Sequence, residues 1–101
     1  MGIEAVWRTE AGAELDRVSD PRSVFSRYTS SNDRQGTACL RFLDPYGDAC
    51  FNQLQIPVLA EEIEAAARQT SDPDLREQLL AVARLAKRAR DVHTYLWFIG
   101  D

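Results

Sequence analysis

Among 101 residues there is one histidine, His93, one lysine, Lys87, and two cysteines, Cys39 and Cys50. A lone histidine excludes multi-histidine metal centres, and a Ser-His-Asp or Cys-His nucleophile would have to draw on a residue at the start of a strand. Two cysteines this far apart form neither a disulfide scaffold nor a CxxC zinc or redox motif. The five glycines, at positions 2, 12, 36, 47 and 100, fit neither GxGxxG nor a Walker loop, so a nucleotide cofactor has no support. No residue set qualifies as catalytic, and no cofactor is implied. Runs of about 18 apolar residues are missing, as is a basic N-terminal stretch leading into an apolar one. Neither a membrane span nor a signal peptide is therefore expected; the expected address is the cytoplasm, with both thiols reduced and buried.

Positive charge is also in short supply. Twelve Lys+Arg against sixteen Asp+Glu give a net charge of −4 and a pI near 4.9, which argues against a general nucleic-acid binder. Eleven arginines to one lysine, with many alanines, is the usage of a GC-rich bacterial genome and carries no mechanism.

What is present is an ordinary globular composition, 45% hydrophobic and 28% charged, which predicts one compact domain over residues 1–101. Residues 3–8 alternate, with Ile3, Ala5 and Trp7 on one parity and Glu4, Val6 and Arg8 on the other, as a strand with one drier face does. Glu10-Ala11-Gly12 is a turn, and Glu14–Val18 a short second strand or an irregular return. Asp20-Pro21 opens a short helix over Arg22–Tyr28, with Asp as the cap and Pro at the first helical position. Thr29–Gly36 lacks apolar residues and reads as a loop.

Thr37–Leu43 and Asp48–Gln55 flank Asp44-Pro45-Tyr46-Gly47, which has the side-chain acceptor, fixed φ and glycine of a type I turn. The pattern predicts a β-hairpin with Gly47 at positive φ and Asp44 opposite Asp48, and it keeps Cys39 and Cys50 out of register for a disulfide. Pro57 starts a helix to about Gln69, with Leu59, Ile63, Ala66 and Ala67 on one stripe. Ser71-Asp72-Pro73-Asp74 then caps another, bearing Leu75, Leu79, Val82, Ala86 and Ala89, to about Asp91. In this αα-hairpin, Glu61, Glu62 and Glu64 are expected beside Arg84, Lys87, Arg88 and Arg90, a pairing that occupies the basic cluster internally. His93–Ile99 reads as a strand buried on both faces.

The expected fold is α+β, an antiparallel sheet of about four strands with the αα-hairpin on one face and the C-terminal strand central. Two helices cover one face only, so the parity Tyr95, Trp97, Ile99 needs another cover. Either residues 10–36, with Val24, Phe25 and Tyr28, fold over it, or a second chain does. Tyr95 and Trp97, with Trp7, Arg41 or Phe51 beside them, are the candidate binding residues, because Trp, Tyr and Arg are the usual interface anchors. The function expected is a small protein-interaction module, regulatory, antitoxin-like or immunity-type, that binds a protein partner or forms a homodimer and engages neither nucleic acid nor membrane. The alternative is a small dimeric enzyme or ligand or metal binder with its site near the Asp44–Asp48 turn, the Thr29–Gly36 loop and the sheet.

Overall fold

The computed structural model describes residues 2–31 and 36–100, with the backbone alone described at Ser31. Strands β1 (Glu4–Thr9), β2 (Glu14–Val18), β3 (Asp48–Phe51) and β4 (Thr94–Ile99) form one antiparallel sheet in the order β2-β1-β4-β3. Helices α1 (Val24–Ser31), α2 (Ile56–Gln69) and α3 (Pro73–Arg88) complete an α+β fold in which α2 and α3 pack as a pair and α1 packs on α3. No helix among the described residues is long and apolar enough to cross a membrane.

β1 and β2 are joined where Gly12 takes φ +95°, a conformation disfavoured for any residue with a Cβ. Gly12 N–H donates to the Thr9 carbonyl at 2.9 Å and Thr9 N–H to that of Ala13 at 2.8 Å. The pairing steps from Trp7↔Asp16 to Arg8↔Glu14, so Leu15 is the extra residue of a bulge.

The second hairpin expected from the sequence is absent. Residues 37–43 form no strand; Leu40–Phe42 is a 3-10 turn. The cause is non-local. The Glu62 carboxylate, on α2, accepts from the backbone N–H groups of Ala38 (2.5 Å), Cys39 (2.9 Å) and Leu40 (2.9 Å). Those donors are then lost to any ladder, and Leu40 and Leu43 bury at a spacing of three while Phe42 stays 59% exposed. β3 pairs with β4 instead. Asp44–Gly47 is still a turn, with Tyr46 N–H donating to Asp44 Oδ1 at 2.8 Å and Gly47 N–H to the Asp44 carbonyl at 3.3 Å. Gly47 does not, however, hold the positive φ expected of it; Gly12 and Gly36 are the glycines that do.

Asp20 caps α1, but from a turn outside it. Ser23 N–H closes a turn on the Asp20 carbonyl (3.0 Å), Ser23 sits at φ 56°, and the helix begins only at Val24. Pro21 therefore fixes the turn and is not the first helical residue. The buried Asp20 carboxylate accepts from Ile3 N–H (3.1 Å), Phe25 N–H (3.2 Å) and Ser26 N–H (3.0 Å), tying the start of β1 to the start of α1. Of the expected Thr29–Gly36 loop, Thr29 to Ser31 belong to α1 and 32–35 lie outside the described residues.

The two long helices follow their sequence signals. Pro57 lies in the first turn of α2, and Asp72 caps α3 by accepting from Asp74 N–H (3.0 Å) and Leu75 N–H (3.4 Å). α3 ends at Arg88, so Arg90 and Asp91 fall beyond it. The charged clusters meet less fully than expected. Lys87 Nζ reaches Glu64 at 2.7 Å, whereas Glu62 is held by residues 38–40 and Arg88 turns to Asp16 of β2 at 2.6 Å.

All three helices share one side of the sheet. The core joins Ile3, just before β1, Ala5 of β1, Phe51 of β3, and Leu96 and Phe98 of β4 to Phe25, Leu59, Ile63, Leu79, Val82 and Ala86 from the helices. Phe98 is the wedge, edge-on to Phe25 (centroids 6.1 Å) and to Phe51 (5.8 Å).

Candidate functional site: the open face of the sheet

Residues directly opposite one another on antiparallel strands project to the same face. The register therefore composes the face opposite the helices in three rows across the strands. A central row holds Arg17, Val6, Trp97 and Cys50 from β2, β1, β4 and β3 in turn. Toward one end lie Glu4, Ile99 and Asp48; toward the other, Glu14, Arg8 and Tyr95.

β4 was expected to be buried on both faces, but only Thr94, Leu96 and Phe98 are; Tyr95, Trp97 and Ile99 remain half-exposed. The described residues of the span 10–36 do not close this face. β2 extends the sheet sideways as an edge strand, Phe25 is in the helix-side core, and Tyr28 packs against that core. Val6 is fully buried although it is not part of the helix-side cluster. Arg8 lies over the Trp97 ring, with Cζ 5.7 Å from the centroid. Arg17 pairs with both Glu4 and Glu14.

The surface is thus a central row with Val6 and Trp97 at its middle and Arg17 at one end, between a row with Glu4 and Asp48 and a row with Glu14 and Arg8. Beside Tyr95 it runs into a pit of about 250 Å³ bordered by Asn52, Leu54 and Val92. Leu54 and Val92 are 78% and 62% exposed there.

Of the five candidate binding residues, the structure brings Trp97 and Tyr95 together and separates the rest from them. Trp7 is opposite Leu96 and packs against the helix-side core, as its parity with Ile3 and Ala5 requires. Phe51 is likewise opposite Leu96 and buried. Arg41 is on the 3-10 turn, stacked on Phe42 at 4.9 Å and near Glu62. The residues that do surround Trp97, namely Val6, Arg8, Arg17 and Cys50, were not named for this face. The parity of β1 already grouped Val6 with Arg8, but only the register of strands some ninety residues apart sets them against Trp97 and Tyr95.

Cys50 is exposed on this face and Cys39 is buried, and both are free, so the expectation of two buried thiols holds only for Cys39. Desolvation by the surrounding chain raises both thiols above their ordinary pKa, and the Glu62 charge adds to the rise at Cys39. Neither has the electropositive setting that activates a nucleophile. Asp44 and Asp48 do not oppose each other across a hairpin: Asp44 is the acceptor of its own turn and Asp48 lies opposite Ile99. Among the described residues, no group of three or more His, Cys, Asp and Glu could hold a metal ion. Compared with known proteins, the chain matches no family model, no curated protein and no solved structure.

Proposed function

We propose that this protein is a small interaction module that works by binding another protein chain through the sheet face centred on Trp97. The observation that carries the reading is the one-sided placement of the helices, which leaves Tyr95, Trp97 and Ile99 half-exposed as a contiguous strip. Such a strip on a polar-rimmed surface is the usual form of an interaction site, and Trp, Tyr and Arg its usual anchors. A regulatory, antitoxin-like or immunity-type role, in which the module acts by occupying its target's surface, needs no chemistry beyond this. A reducing compartment such as the bacterial cytoplasm fits two unbridged cysteines. Nucleic acid is a poor candidate partner, given the net charge of −4 and the engagement of Lys87 and Arg88 with Glu64 and Asp16.

Affinity capture with wild-type protein and Trp97→Ala tests the reading, with circular dichroism as the control for folding. The expected result is a protein retained by the wild type and lost with an equally folded variant. Unfolding of Trp97→Ala, or unchanged retention, would remove the face from the function.

A further inference from the structure

We infer that the chain covering this face is a second copy of this protein, in a two-fold dimer whose axis lies between the sheets, perpendicular to the strands and over the central row. This rests on the reading of the face as a binding surface and adds the identity and orientation of the partner. The argument is the order of the rows. A half-turn about that axis places the end row of one copy over the opposite end row of the other and sets the central row on itself. Glu4 then meets the second copy's Arg8, twice by symmetry, and Ile99 meets Tyr95. These two contacts are complementary, the first in charge and the second in apolar character. Trp97 packs on Trp97, and Cys50 faces Cys50. At the β2 end Arg17 approaches its own copy, with each guanidinium already held by Glu4 and Glu14.

The other simple two-fold, parallel to the strands, stacks every row on itself. It leaves Glu4 facing Ile99 and turns Cys50 toward Arg17, so no opposite-charge contact forms between the copies. Charge therefore selects the first arrangement, in which the two sheets are face to face with near-aligned strands, the common geometry of sheet packing. The footprint, four strands about 4.8 Å apart by six residues of about 3.3 Å, is roughly 20 by 20 Å. That is the small end of specific interfaces, so the dimer is expected to dissociate on dilution.

Sedimentation equilibrium from about 5 µM to 1 mM tests the inference. The expected result is a mass rising from the 11.4 kDa of the chain toward twice that value, with Trp97→Ala monomeric throughout and Arg8→Glu weakening association at least tenfold. Treatment of the concentrated protein with a short bis-maleimide, each ring of which adds one thiol S–H across its C=C bond, should link the copies through Cys50, because facing sheets stand about 10 Å apart, too far for a direct disulfide, and should leave Cys50→Ser unlinked. A monomer over the whole range, a dimer indifferent to both variants, or a dimer without the Cys50 link would overturn the inference. A monomeric wild type whose Trp97→Ala variant folds normally but loses a captured protein sinks the second copy alone. Unfolding of Trp97→Ala sinks the interaction reading too, and Arg8→Glu, at a half-buried position on the rim, still reports on association.

Discussion

Arg8 is opposite Tyr95 in the register of β1 and β4, yet its guanidinium reaches diagonally over the Trp97 ring, 5.7 Å from its centroid, and covers the indole from one side. A contact of this kind at a wet surface is worth about 0.5–1 kcal/mol. Arg8→Ala should therefore lower stability by no more than about 1 kcal/mol while exposing the ring. In a Trp7→Phe background, where Trp97 alone emits, its fluorescence should shift to the red and acrylamide should quench it more strongly. Unchanged quenching would show that Arg8 does not shield the indole.

Asp20 is the knot between β1 and α1. Removing its carboxylate by Asp20→Ala leaves the N–H groups of Ile3, Phe25 and Ser26 without this acceptor in a buried setting. Bonds to a charged acceptor contribute about 1.5–3 kcal/mol each, with losses that overlap, so a destabilisation of about 3 kcal/mol or more is expected. Asp20→Asn, which keeps one acceptor oxygen, should lose about half as much. Urea denaturation checks both, and equal losses would mean that charge alone matters there.

Glu62 joins α2 to residues 38–40. Burial pushes its pKa up, but the three backbone N–H groups and the Arg41 charge outweigh burial and hold it below the ordinary glutamate value. A group depressed by folding stabilises the native state above its unfolded pKa, and that contribution disappears as the pH falls through the lower folded value. The wild type should accordingly lose stability below about pH 4.5, the ordinary value for the group. Glu62→Gln should be less stable at pH 7 by about 1–2 kcal/mol and show a flatter acid limb. A parallel acid limb in the two proteins would dismiss the carboxylate as the cause.

The two thiols should differ in access. With Ellman's reagent at micromolar protein, Cys50 is expected to react in the native state and Cys39 only on unfolding, both slowly at neutral pH because both pKa values are raised. A count below two in denatured, unreduced monomer would contradict the free thiols.

The elements whose signals are local were legible in the sequence. Pro57, Asp72 and Pro73 start two helices whose stripes are buried as expected, and the alternation of β4 sorted Leu96 and Phe98 from Tyr95 and Trp97. The failures came where a distant group decides. Thr37–Leu43 has the composition of a strand, but the carboxylate that takes its donors is on α2, and no local pattern reports that. The real hairpin forms at Gly12, where the glycine is needed for its φ, and Asp44-Pro45-Tyr46-Gly47 supplied turn chemistry without a partner strand. Trp7 was grouped with the open face by residue type, against its own parity. Of the open face, the strip of β4 with Tyr95 and Trp97 is thus legible in the sequence, and what β1, β2 and β3 set beside it depends on register.

The place of β4 between β1 and β3 also shapes how the chain reaches its fold. Residues 4–9 pair with 94–99, so the middle of the sheet closes one of the longest loops the chain can form. Until it does, the β1–β2 hairpin and β3 have no common neighbour. The helix pair, whose contacts are local, can assemble beforehand and present Leu79 and Ile63 as a landing surface for Leu96 and Phe98. Contacts this distant in sequence slow folding, because chain entropy is lost before the pairing repays it. Docking of β4 between β1 and β3 is then the step expected to limit the rate of folding.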